Sequence, residues 1–188
     1  MPFASTRQET NLPPFSNDDD CRKASIRMTV GDCSFGSVLV AATEKGVCAI
    51  LLGDEPHALV RELCDRFPEA LLTGGDEDLD RWAAEIVAFV EAPTCGFDLP
   101  LDVRGTDFQR RVWHAVREIP AGTTASYTDI ANRIGVPKAV RAVARACASN
   151  VLAVAIPCHR VVRNDGALSG YRWGVERKRR LFDREAAS

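Results

Sequence analysis

The sequence predicts an α/β (α+β) architecture: a small N-terminal domain with an antiparallel sheet and helices, then a mainly helical, winged-helix-like domain containing a helix-turn-helix. Three observations carry this. Glycine-punctuated runs rich in β-branched residues fill residues 26–52. Helical periodicity dominates the second half. The charge also divides: residues 1–103 hold 8 Lys and Arg against 19 Asp and Glu, a balance of −11, whereas residues 104–188 hold 16 against 7, a balance of +9. A basic half joined to an acidic one fits a polyanionic partner on one side of the molecule, and it equally fits two solvated faces.

Residues 1–25 are polar, proline-bearing and aperiodic, the pattern of a disordered tail. "IRMTV", "SVLVAAT" and "VCAILL" follow as short strands separated at Gly31, Gly36 and Gly46, which reads as an antiparallel meander. "PHALVRELCDRF" places Leu59, Leu63 and Phe67 four residues apart, and "DLDRWAAEIVAFVEA" is a second helical run that stops before Pro93. "PTCGFDLPLDVRG" reads as a linker, so the expected domains are 26–100 and 101–188. "GTDFQRRVWHAVREIPAG" then aligns Phe108, Val112, Ala115, Val116 and Ile119 on one stripe, a core helix in which Trp113 and His114 are structural.

A helix pair comes next. Ser126 with Asp129 three residues on forms a capping box that opens a helix over 127–134, Gly135 and Val136 make a turn, and Pro137 suits the first position of a second helix. On that helix Val140, Val143, Ala144 and Cys147 form a buried stripe, and Lys138, Arg141 and Arg145 a separate basic one. Between them Ala139, Ala142, Ala146 and Ala148 let the backbone approach another surface closely. This fits a helix-turn-helix, and it also fits an ordinary helical hairpin with a solvated basic face.

"AIPCHRVV", residues 155–162, sets a cysteine beside a histidine after "VLAVAI", which reads as a buried strand or extended segment ended by Pro157. Most buried cysteines are inert, but His159 and Arg160 bring positive charge that favours thiolate at Cys158. Neighbouring side chains point apart, so His159 reaches Cys158 through a bridging water, with a carboxylate fixing the other ring nitrogen. In "GVERKRRLFDREA" Leu181, Phe182 and Glu185 share one helix face, which turns Glu185 inward as that carboxylate, against the alternative that it is solvated.

Seven cysteines without a C-x-x-C pair, and His57 and His114 away from zinc spacing, argue against a disulfide framework and predict no metal site. There is no apolar run long enough for a transmembrane helix and no signal-peptide core, which predicts a reducing cytoplasm.

These motifs together resemble the O6-alkylguanine-DNA alkyltransferases. The match runs from about Met28 to Ala186 and is densest through "RGTDFQRRVW", "IPAGTTASYTDIA", "PKAVRAVARACASN", "AIPCHRVVRNDGALSGYRWG" and the closing helix. The resemblance implies irreversible, stoichiometric transfer of an alkyl group from O6-alkylguanine, and to a lesser extent O4-alkylthymine, to the Cys158 thiolate after the nucleotide is flipped out. It implies that His159 is the water-mediated base, Glu185 orients it, Tyr127 contacts a phosphate and donates a proton, and Asn150 is a hinge. Arg141 resembles the finger that fills the duplex, supported by Lys138, Ala139, Ala142 and Arg145, and Ser169, Gly170 and Tyr171 resemble the base pocket. No cofactor, a monomer, double-stranded DNA as partner and a bacterial cytosol or nucleoid location are implied with them. Larger regulators of the family carry an upstream metal-thiolate domain. The residues before the match hold no four-cysteine cluster, so they give no support for the sensing and transcriptional roles, and both a standalone repair protein and a fragment of a larger regulator fit. A DNA-lesion recogniser that transfers nothing, and an unrelated cysteine hydrolase or redox protein, are the competing readings.

Overall fold

The computed structural model describes residues 25–93 and 98–187. The expected tail lies outside the described residues apart from Ser25, which begins strand β1. Strands β1 (Ser25–Cys33), β2 (Gly36–Thr43) and β3 (Gly46–Gly53) form the antiparallel meander, with two-residue turns between them. Gly36 and Gly46 close these turns at φ of 102° and 137°, which a side chain would resist. Helices α1 (Pro56–Arg66) and α2 (Glu77–Glu91) pack against the sheet through Leu59 and Leu63, and through Leu79, Ile86 and Val90.

The sheet is not wholly antiparallel. A fourth strand, β4 (Leu71–Gly74), pairs parallel with β1 and gives the order β3-β2-β1-β4. Nothing in the pattern marks it, because it is a short edge strand held by backbone pairing rather than burial; Leu71 is 68% exposed.

The free edge of β3 receives the second half of the chain. The Val47 amide donates to the Pro100 carbonyl at 2.8 Å and the Ile50 amide to the Val151 carbonyl at 2.8 Å, and Leu101 and Leu152 bridge to Val47 and Ile50. One hydrophobic cluster therefore runs through residues of both halves.

Helices α3 (Asp107–Arg117), α4 (Tyr127–Arg133) and α5 (Val140–Ala148) pack on one another. The Ser126–Asp129 capping box forms as expected, and Thr106 with Gln109 makes a second one at α3. Pro137–Ala139 is a 3-10 turn, so the regular helix begins three residues later than Pro137. Ala146 departs from its expected place on the small-residue face. It is buried, and its carbonyl accepts a hydrogen bond from Trp113 Nε1 at 2.8 Å. Trp113 is core, whereas His114 is surface-facing and pairs with Glu118.

"VLAVAI" is not a strand. Beyond the Leu152 bridge it turns, with Val154 at φ 58°, because the buried Asn150 amide ties the backbone into a loop. Apolar content alone cannot separate a buried turn from a buried strand. The chain then makes a 3-10 turn (Cys158–Arg160), the two-residue strand β6 (Val161–Val162) and helix α6 (Val175–Ala186).

Candidate active site

Four pieces of backbone meet at Cys158. The first is the Asn150 loop. Asn150 Oδ1 accepts from the Leu152 amide at 2.8 Å, and Nδ2 donates to the Ile156 carbonyl at 3.0 Å and reaches Cys158 Sγ at 3.4 Å. One side chain thus braces the loop and touches the thiol. The second is the 3-10 turn, which points Cys158 and His159 in different directions while burying both.

The third piece is strand pairing. β5 (Ala125–Ser126) runs parallel to β6, with Ala125 opposite Val161 and Ser126 opposite Val162, and this carries the first residue of α4, Tyr127, to the site. Its hydroxyl bonds Ser169 Oγ at 2.5 Å.

The fourth is α6, whose inward stripe is Lys178, Leu181 and Glu185 at i, i+3 and i+7. The Glu185 side chain is 1% exposed, and its two oxygens accept from four donors. His159 Nε2 donates at 2.8 Å, Arg160 Nη2 at 2.8 Å, Arg160 Nε at 2.9 Å and the Gly122 amide at 3.3 Å.

This arrangement sets the protonation states. Burial pushes the Glu185 carboxyl up, but the hydrogen bonds and charges of His159 and Arg160 outweigh it and bring its pKa down to about 2. Burial lowers His159, against the upward pull of Glu185, so its imidazole is neutral at pH 7. A carboxylate only accepts, so the proton of that neutral ring sits on Nε2 and Nδ1 carries the lone pair. Nδ1 is buried and has no partner among the described residues. The Cys147 thiol and burial raise the Cys158 thiol well above its ordinary range, with the Asn150 amide and Lys178 pulling the other way. The Cys158 thiol is therefore neutral, and the neighbouring residue holds an unpartnered basic nitrogen, so any nucleophilic chemistry at this sulfur requires removal of its proton.

These directions have a consequence for stability. Both folded-state pKa values lie below their ordinary ones, so each group stabilises the fold above its unfolded pKa and loses that contribution as pH falls. Melting temperature is expected to hold above about pH 7. It should fall first below about pH 6.5 as His159 protonates in the unfolded chain, then further below about pH 4.5 with Glu185. A flat thermal-denaturation profile between pH 7 and 4 would contradict the buried His159–Glu185 pair.

Cys158, His159, Glu185 and Asn150 are thus brought together, with Tyr127 and Ser169 beside them. The Tyr171 hydroxyl is buried without a partner among the described residues, its pKa raised by burial and by Cys158 and Glu185, whereas Gly170 is exposed. Lys138, Arg141 and Arg145 are exposed on the outer side of α5 and the turn before it, with Ala139 and Ala142 partly covered between them.

The structure gives Arg160 a different partner from the one expected and adds Lys178 to the site. Arg160 does not serve the thiol: it forks onto Glu185 and donates to the Ile119 carbonyl. Lys178, 0% exposed, donates to the Val161 carbonyl at 2.5 Å and to Ser169 Oγ at 3.3 Å, so Lys178, Ser169 and Tyr127 form one hydrogen-bonded chain. The helical spacing that turns Glu185 inward also turns Lys178 inward, so the signal was present in the sequence. Among the described residues no three Cys, His, Asp or Glu side chains gather as a metal site, and no helix is long and apolar enough to cross a membrane.

Residues 107–187 match the family described as 6-O-methylguanine DNA methyltransferase, DNA binding domain. The chain is 53% identical over 162 residues to the bifunctional transcriptional activator/DNA repair enzyme Ada of Escherichia coli, an overlap covering 86% of this chain and 46% of that protein. It therefore spans about half the length of the Ada proteins it matches. It is 42% identical over 150 residues to the inducible methylated-DNA--protein-cysteine methyltransferase of Bacillus subtilis, covering 78% of this chain and 82% of that one. Among solved structures, the Mycobacterium tuberculosis OGT in complex with DNA superposes with a TM-score of 0.72 at 33% identity, over 86% of this chain and 93% of that chain.

Proposed function

Because this chain belongs to the 6-O-methylguanine DNA methyltransferase family, we propose that it repairs DNA by direct reversal, moving the alkyl group of an O6-alkylguanine onto Cys158 once and irreversibly. The observation that carries this is the buried Glu185–His159 pair beside Cys158, with Nδ1 of the imidazole left as a base.

The steps follow from the site. The O6-alkyl carbon lies within the base stack, so the nucleotide must leave the duplex before a protein thiol can reach it. Exposed Arg141, flanked by Lys138 and Arg145, supplies the side chain that occupies the space left behind, and Ala139 and Ala142 allow α5 to lie close to the DNA. His159 Nδ1 takes the thiol proton through one water, because the two side chains diverge from a 3-10 turn. The sulfur forms a bond to the alkyl carbon as the carbon–oxygen bond breaks, and the electron pair stays on the guanine. A proton from Tyr127, hydrogen-bonded to Ser169 and through it to Lys178, quenches that charge.

The product thioether resists hydrolysis, so one molecule repairs one lesion. No cofactor enters the scheme. Residues 101–188 carry the acceptor and the DNA-binding helices, and residues 26–100 buttress them. The protein acts as a monomer in the cytosol or nucleoid, a compartment consistent with free thiols at Cys33, Cys48, Cys64, Cys147 and Cys158.

Mass spectrometry after mixing with an oligonucleotide bearing one O6-methylguanine tests this. The expected result is a gain of one methyl, saturating at one equivalent and mapping to Cys158. Binding without mass gain would make the chain a lesion recogniser, and continued product formation beyond one equivalent would make it a turnover enzyme. Arg141→Ala should slow transfer from duplex DNA by roughly tenfold or more, about 1.4 kcal/mol, while sparing transfer from the free alkylated base. Equal losses on both substrates would remove Arg141 from the flipping role.

A further inference from the structure

Helix α6 carries a second stripe, one residue out of step with the inward one. Arg177, Arg180 and Arg184 lie at i, i+3 and i+7, and all three converge on the Ser34–Phe35 tip of the β1–β2 hairpin. The guanidinium carbons of Arg180 and Arg184 each sit 4.4 Å from the Phe35 ring centroid. Arg177 Nε donates to the Phe35 carbonyl at 2.9 Å, Arg180 Nη2 to the Ser34 carbonyl at 3.0 Å and Arg184 Nη2 to Ser34 Oγ at 2.7 Å. Phe35 is only 3% exposed although it sits on a two-residue hairpin turn.

The end of α2 completes the grip. Arg184 Nη1 donates to the Val90 carbonyl at 2.6 Å, in the last turn of α2, where the helix dipole favours a cation. Glu91 accepts from the Ser34 amide at 2.6 Å through one oxygen and lies 3.4 Å from Arg184 through the other. Arg177 also pairs with Asp54 at the end of β3.

Helix α6 is held from inside by the polar contacts of Lys178 and Glu185, and this grip adds a hold from outside. Its N-cap is Gly174, without a side-chain cap, and of its three buried residues two are charged, so Leu181 is the one fully buried apolar anchor. Apolar packing of that extent does not fix a helix in rotation, since it is non-directional. The Glu185–His159 hydrogen bond does require a fixed rotation, because such bonds weaken steeply with small displacements. Glu185 follows Arg184 directly in the chain. Any turn of α6 that releases Arg184 from Ser34 and Phe35 also carries Glu185 away from His159.

We propose that the Ser34–Phe35 hairpin tip, gripped by Arg177, Arg180 and Arg184, is a positioning element for alkyl transfer that sets the rotation of α6 so that Glu185 meets His159. This gives the N-terminal sheet a part in the chemistry while it touches neither DNA nor thiol. The inference rests on the reading of Glu185 and His159 as the base pair of the reaction.

The test is a double-mutant cycle on the full chain, read by single-turnover methyl transfer and by 15N shifts of the His159 ring. Phe35→Ala is expected to slow transfer by roughly tenfold to a hundredfold, the scale of an ångström-level misplacement. It should leave oligonucleotide affinity within about twofold and shift the pH–rate profile in the direction that Glu185→Gln shifts it. Adding Phe35→Ala to Glu185→Gln should cost nothing further, and Phe35→Tyr, which keeps the ring, should restore the rate. Should Phe35→Ala fail to fold, Arg180→Ala removes one guanidinium from the surface side and must show the same non-additivity with Glu185→Gln. Independent, additive losses or an unchanged rate would overturn the proposal. If the parent chain itself transfers no methyl group, the repair reading fails, and the His159 ring shifts still report whether the hairpin tip governs the Glu185 contact.

Discussion

Cys158→Ala is expected to abolish methyl uptake altogether while leaving binding to an O6-methylguanine duplex intact. The Cys158 thiol is the group assigned to form the stable bond to carbon, and alanine offers nothing in its place. The fold should tolerate the change at a cost of about 1 kcal/mol, because it deletes one buried atom and leaves Asn150 bonded to the Leu152 and Ile156 carbonyls. Intact mass, a mobility shift and a thermal melt on one preparation separate these effects. Cys147 gives the experiment its edge, since it is a second buried thiol near enough to influence Cys158. A methyl group found on Cys147 in the variant would move the acceptor role off Cys158 alone.

Glu185→Gln is expected to damage both chemistry and stability. The carboxylate accepts from four donors, and a glutamine amide replaces one acceptor oxygen with an NH2 that confronts donors. Arg160, buried against Glu185, then loses its counter-charge, a loss of the class that costs about 3–5 kcal/mol. Transfer should slow on the order of a hundredfold, because the lone pair on His159 Nδ1 is no longer enforced and the imidazolium formed in the reaction is no longer balanced. Affinity for DNA, which the proposed function assigns to the exposed residues of α5, should not change. Single-turnover rates measured well below the variant's melting temperature distinguish lost chemistry from lost fold. A parental rate there would make the closing helix structural only.

Much of the candidate site is legible in the sequence, and the reasons are local. Ser126 and Asp129 cap α4 through neighbouring residues, so spacing alone reveals the cap. The inward turn of Glu185 follows from helical periodicity with Leu181, and the meander follows from β-branched runs broken by glycine. What failed was also physical. "VLAVAI" has the composition of a strand, but whether an apolar segment extends or turns is decided by where its amides find acceptors. Here a distant strand and the Asn150 side chain supply the partners. β4 escaped notice because pairing with β1, not any pattern of its own, makes it a strand.

Local sequence sufficed for the helices, the capped start of α4, most of the faces they bury and the adjacency of a cysteine and a histidine. Periodicity and capping act over a few residues, and their energies are written in the residues themselves. Long-range packing alone made Arg160 neutralise Glu185 rather than activate Cys158, brought Lys178 to Ser169, and set Phe35 against two arginines of α6. Those contacts span from 9 residues of chain, for Lys178 and Ser169, to 149, for Arg184 and Phe35. A charge buried by folding must take whatever partner the packing brings within hydrogen-bonding distance, and no local pattern names that partner in advance.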